Sequence, residues 1–135
     1  MLRTKCIFEP VSGDDGIRVS VMSRHKMNDG RTNDPRIVPI VSYNIHWQEL
    51  APLPDLVRRH YSKGADRIDW KGFAEEYRSY LRQPEQSDSL RSLAELAMRT
   101  DVTIMCVEPK GQDCHRLILA EMCRERFPAL EIMNV

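Results

Sequence analysis

Val102-Thr103-Ile104-Met105-Cys106-Val107-Glu108-Pro109-Lys110-Gly111-Gln112-Asp113-Cys114-His115-Arg116 runs from an apolar strand, through a short loop, into the start of an amphipathic helix. The first six residues are apolar on both faces, as central strands of parallel sheets are. Leu119, Met122 and Cys123, with Ile118 beside them, mark the buried side of a helix from about Cys114 to Phe127, which stops before Pro128. Leu130 to Val135 supplies a further strand. Residues 102–135 thus predict a strand-helix-strand unit, with the right-handed crossover that parallel strands require. Such a unit makes the chain an α/β protein.

Working outward, three more helical patterns precede it. Leu53, Leu56, Val57, His60 and Tyr61 follow the helical spacing behind Pro54, a residue suited to a first turn. Trp70, Phe73, Ala74, Tyr77 and Leu81 form a stripe with Asp69 as N-cap and Pro84 closing the segment. At this spacing the aromatic stripe predicts core rather than a base-stacking surface. Leu90, Leu93, Ala94 and Ala97 predict a helix over 88–99. Residues 4–8 and 17–22 are strand-like, separated by a turn-rich stretch, and would fit either a hairpin or a parallel pair. Ser23 to Pro35 predicts an exposed loop. Ile37 to Ser42 is strand-like, although Pro39 keeps it from the sheet centre.

The chain has 135 residues, which suits one domain over 1–135: a three-layer α/β domain with a mostly parallel central sheet and flanking helices. Twenty basic and twenty acidic residues cancel. There is then no general positive field to recruit nucleic acid or an anionic membrane. No apolar run approaches a membrane span and the amino terminus resembles no signal peptide, so the expectation is a soluble intracellular protein with no membrane partner. In that compartment the four cysteines, Cys6, Cys106, Cys114 and Cys123, are expected as reduced thiols, with Cys6 and Cys123 packed in the core.

The strand-to-helix junction is where α/β proteins build sites. With Asp113 as cap, Cys114, His115 and Arg116 would occupy the first helical turn, beside the strand end carrying Cys106. Free N–H groups and the Arg116 guanidinium favour an anion there, or a thiol ionising below its ordinary value. Cys106, Cys114 and His115 are therefore the candidate catalytic residues, the cysteines as nucleophile or redox thiol and His115 as proton carrier. Arg116, Arg24 and Arg18 are the candidate anion binders, the last two delivered by the second strand if it runs parallel to the Cys106 strand. The expected partner is a small phosphate or carboxylate. Packing cysteines and solvated arginines are the plainer account of the same residues.

Zinc is not expected, because the Cys and His spacing matches no compact ligand pair. Phosphate-loop, nucleophile-elbow, zincin and dinucleotide fingerprints are absent, and no cofactor is implied. The alternative reading is a non-catalytic regulatory module that binds protein or nucleic acid through Arg24, His25, Lys26, Arg31 and Arg36.

These residues resemble the domain of unknown function 488 family. A strand ending in Cys106-Val107-Glu108 leads to Cys114-His115-Arg116 at a helix start, as in that family. Lys5-Cys6-Ile7-Phe8-Glu9-Pro10, Asp14-Asp15-Gly16-Ile17-Arg18-Val19, Glu49-Leu50-Ala51-Pro52 and the Phe73, Tyr77, Leu81 helix are similar to its shorter members. Where those members continue the second strand into Asp-Arg, an aromatic, Pro and Arg-Gly, this chain has Met22-Ser23-Arg24-His25-Lys26-Met27-Asn28-Asp29-Gly30. Arg24 is kept, while the acidic partner and the Trp are not. The resemblance implies a compact α/β domain in bacterial or archaeal cytoplasm and no established activity.

Overall fold

Five short strands, β1 (Leu2–Cys6), β2 (Ile17–Ser20), β3 (Ile45–His46), β4 (Val102–Cys106) and β5 (Ile132–Asn134), form one sheet in the computed structural model, which describes residues 1–135. Every pairing is parallel and the order is β3-β2-β4-β1-β5. The chain is a single α/β domain. Strand β4 takes the centre because all five of its residues are buried. Strands β1 and β2 are therefore not neighbours, neither as a hairpin nor as a parallel pair; β4 lies between them.

Four helices follow in the chain: α1 (Pro54–Tyr61), α2 (Trp70–Leu81), α3 (Pro84–Arg99) and α4 (His115–Arg126). Asp69 caps α2 by accepting from the Gly72 N–H. Pro84 both closes α2 and opens α3 as its first residue, so that helix begins four residues before the expected 88. The stretch 37–42 is not a strand. Pro39 offers no N–H, Ile40 has φ +71°, and a lone bridge from Pro39 to Tyr43 is the only ladder contact there. Backbone pairing resumes at Ile45–His46, against Val19 and Ser20.

Register divides the sheet into two faces. Leu2, Val102 and Ile17 align, as do Thr4, Ile104 and Val19, so these residues and Cys106 share one face. Against it pack Phe73, Tyr77 and Leu81 of α2, Leu90, Leu93 and Ala97 of α3, and Leu119, Met122 and Cys123 of α4, in one core. The other face carries Arg3, Lys5, Thr103 and Arg18, and its covering layer is coil with one turn of 3-10 helix, Gly13–Asp15. There the buried Lys5 ammonium meets the Asp15 carboxylate at 2.9 Å, and the Thr103 hydroxyl donates to the Asp15 carbonyl. Gly16 ends this turn at φ +63°, with its Cα against the Asp101 carbonyl. No helix is long and apolar enough to cross a membrane.

Candidate active site

The connection leaving β2 leads outward to β3 at one edge, whereas the connection leaving β4 leads through α4 to β5 at the other. Between β2 and β4 the carboxyl ends therefore part company. Open parallel sheets bind ligands at that position. A cleft of ≈ 850 Å³ occupies it, walled by the loop after β2, by α1 and the start of α2, and by the β4–α4 junction.

Cys106, Cys114 and His115 lie at its inner end. The two sulfurs are joined as a disulfide, S–S 2.14 Å, so the expectation of four free thiols holds only for Cys6 and Cys123. The pairing follows from the local fold. Cys106 ends β4 on the helix-bearing face, and the extended backbone of Cys114 (φ −150°, ψ 144°) turns its side chain inward onto it. Cys114 thereby becomes the N-cap of α4. Asp113, the expected cap, is left exposed at the cleft, and no side chain caps this helix.

Arg116 is 2% exposed and donates from Nη1 to the Cys106 sulfur at 2.9 Å and from Nη2 to the Pro109 carbonyl at 3.4 Å. Its Nε has no partner. Burial pulls its pKa down from the ordinary value, opposed by Cys6 and Glu108 nearby. A buried cation aimed at a sulfur stabilises the thiolate of that cysteine once the disulfide is reduced.

The protonation of His115 is fixed by its neighbours. Its Nε2 is 2.6 Å from the Val21 carbonyl, which can only accept, so Nε2 carries the hydrogen. Its Nδ1 then presents a lone pair toward the Cys114 sulfur, 3.9 Å away. Burial pushes the ring's pKa down to about 4, so it is neutral at pH 7 and able to accept a proton. The edge of Tyr77 packs against it with ring centroids 5.7 Å apart.

Cys106, Cys114 and His115 also form a set of metal-ligand types, with donor atoms within 4.8 Å of one another. The Nε2–H to carbonyl bond is the arrangement that orients a metal-bound histidine. Arg116, however, sets a full positive charge on the Cys106 sulfur, where a dication would have to bind. The donor set suits an ionised thiol better than a metal.

Of the expected anion binders, Arg116 sits beside the sulfurs and Arg24 lines the cleft, where its guanidinium lies over Gly30. Arg18 is elsewhere. It is aligned with Thr103 on the opposite face of the sheet to Cys106, and its guanidinium donates to the carbonyls of Ile40 and Val41. The alternation of a strand keeps Arg18 and Cys106 apart, whatever the strand order.

Several lining residues were not anticipated. Tyr61, at the end of α1, donates to Glu108 and ties that helix to the β4–α4 loop; burial, with Glu108, pushes the phenol's pKa up. Trp70 is only partly buried and faces the cleft with His60, although it begins the stripe whose Phe73, Tyr77 and Leu81 are core. Arg36 lies 4.2 Å above the Phe8 ring and is paired with Asp34. Only tertiary packing gathers these residues; Glu108, quoted as part of the strand-end motif, and Arg36, in the basic cluster of the alternative reading, were the two with a sequence signal.

A parallel α/β domain with a pair of cysteines and a buried arginine at the switch point of its sheet is the class of protein defined by these features. The chain belongs to the domain of unknown function 488 family: the family model described as the active DUF488-N3 subclade (DUF488-N3a) matches residues 2–127. Neither a curated protein nor a solved structure matches it significantly.

Proposed function

We propose that this protein performs thiol chemistry on a small anionic ligand bound in the cleft. The observation that carries the reading is the 2.9 Å contact from Arg116 Nη1 to the Cys106 sulfur, with Cys114 bonded to that same sulfur. In the reduced site Cys106 is the thiolate, held ionised by the guanidinium. It attacks an electrophilic atom of the ligand, whose leaving group departs with the electron pair of the broken bond, and the remainder stays on the sulfur as a covalent adduct. His115 Nδ1 takes a proton from the water that cleaves the adduct, and the Cys106 thiolate is regenerated. The disulfide blocks this nucleophile, and an external thiol frees it by returning two electrons and two protons. Arg24, which shares in none of the chain's ion pairs, holds the anion at the cleft wall. The subclade's description as active agrees with a working site.

The test is alkylation of the reduced protein with iodoacetamide at neutral pH, mapped by mass spectrometry. Cys106 should react much faster than Cys6 and Cys123. The Cys123 thiol, pushed up to about 12 by burial, supplies the unreactive reference. Equal slow labelling of all four cysteines would refute the proposal.

A further inference from the structure

The walls of the cleft differ in chemistry, and the difference describes a ligand. One wall, from α1 and the start of α2, is aromatic: Trp70, Phe73, His60 and Tyr61 all line it. The Trp70 and Phe73 rings are nearly parallel, at 14° with centroids 5.2 Å apart, and His60 tilts against both. His60 Nδ1 is buried there without a hydrogen-bond partner. The opposite wall, from the loop after β2, brings Arg24, Lys26 and Arg36. Arg36 is neutralised by Asp34, and Arg58, which also lines the cleft, by Asp55 and Asp66. Lys26 holds the Asn33 side-chain carbonyl at 2.5 Å. Arg24 has no carboxylate partner, so a ligand anion is the counter-charge left for it.

We propose that the cleft takes a nucleoside phosphate unit, with the base against the Trp70 wall and the phosphate on Arg24. This names the ligand of the thiol site and rests on that reading for its chemistry, though not for its binding. A flat π-face is what an aromatic wall recognises without regard to sequence. A guanidinium fork matches phosphate oxygens. The ≈ 850 Å³ between the walls leaves room for a sugar. A zero net charge offers no long track for a duplex, so the unit is either free or at the end of a strand.

Calorimetry on the reduced full chain tests this, with AMP, GMP, CMP, UMP, ribose 5-phosphate, adenosine and a 5′-phosphorylated dinucleotide as probes. At least one mononucleotide should bind about fivefold to a hundredfold more tightly than ribose 5-phosphate, the range that one stacked base contributes. Arg24→Gln, at an exposed position, should weaken that nucleotide about tenfold and leave adenosine unchanged. Trp70→Leu should weaken the nucleotide and leave ribose 5-phosphate unchanged. Should that variant fail to fold, Trp47→Phe isolates the Trp70 fluorescence, which the nucleotide should quench. Tighter binding of the dinucleotide assigns the unit to a strand end, and equal or weaker binding to the free nucleotide. The proposal is overturned if mononucleotides bind no better than ribose 5-phosphate, or if Arg24→Gln leaves their affinity intact. Fast alkylation of Cys106 in the same preparation, without nucleotide binding, would remove this proposal and leave the thiol chemistry standing; the reverse result would do the opposite.

Discussion

Replacing Arg116 by methionine separates what the guanidinium does for chemistry from what it does for the fold. The contact of 2.9 Å to the Cys106 sulfur is a charge-assisted hydrogen bond in a nearly dry environment. Such a bond is worth about 1.5–3 kcal/mol to the ionised partner. Losing it should raise the Cys106 thiol by about one to two pH units. Methionine fills much of the same volume and leaves behind neither the buried charge nor the unpartnered Nε. Stability should therefore change by less than ~1 kcal/mol, or rise, since burying a charge costs desolvation that an apolar side chain does not. The assay is the rate of iodoacetamide labelling of Cys106 against pH, in a Cys114→Ser background where no disulfide can form, with urea unfolding of the same proteins. An unmoved midpoint would refute the assignment of Arg116 as the group that ionises Cys106. A moved midpoint accompanied by a loss of several kcal/mol would make the arginine a structural residue instead.

Acidification should destabilise the protein through His115, whose folded pKa of about 4 lies below the 6.5 of an unperturbed histidine. Between those values the unfolded chain binds a proton that the native site excludes, so stability falls as pH drops from 6.5 to 4, by about 3 kcal/mol at most. Urea midpoints at pH 7 and 4.5 should differ less in His115→Asn; a residual slope is expected from His25, which is also lowered to about 4, by burial and by His46. Lys5→Met strands the buried Asp15 carboxylate and should cost about 3–5 kcal/mol in urea unfolding; a loss below 1 kcal/mol would show that water reaches the pair. Gly16→Ala puts a methyl 2.0 Å from the Asp101 carbonyl at a positive φ, so the thermal midpoint should drop by several degrees, and an unchanged midpoint would contradict the turn geometry.

The strand-helix-strand unit at the carboxyl end was legible because both of its signals are local. A short, largely apolar run bounded by turn residues favours a buried strand, and the spacing of Leu119, Met122 and Cys123 favours one side of a helix. The same holds for α2, where Asp69 and the Phe73, Tyr77, Leu81 stripe stand in the sequence as they do in the core. Order across the sheet was not legible. Whether β1 touches β2 depends on β4 inserting between them, a strand about 100 residues beyond β1 and 85 beyond β2, and no turn between β1 and β2 reports it. Strand β3 was misplaced for a different reason. Val38, Ile40 and Val41 have strand composition, yet one proline and a left-handed Ile40 turn them out to solvent, and the two residues that do pair are too few to leave a pattern.

In the candidate site, the division between what could and could not be foreseen follows the same physics. Cys106, Cys114, His115 and Arg116 lie within eleven residues of chain, so their proximity is set by one loop, and the sequence alone brought them together. Their roles were not set by it. Which nitrogen of His115 holds the hydrogen depends on the Val21 carbonyl, and which sulfur meets the guanidinium depends on a helix whose cap lies one residue later than expected. Arg24 and Arg18 show how far a strand pattern reaches. Both lie on or just past β2, yet alternation sends Arg18 to the coil-covered face, while the chain has left the sheet by Arg24 and is free to turn over the cleft. A residue still in the ladder inherits its face from its number. Two residues past the last buried pair, only the tertiary structure decides, and it is from such positions that the cleft draws the arginine left free for an anion.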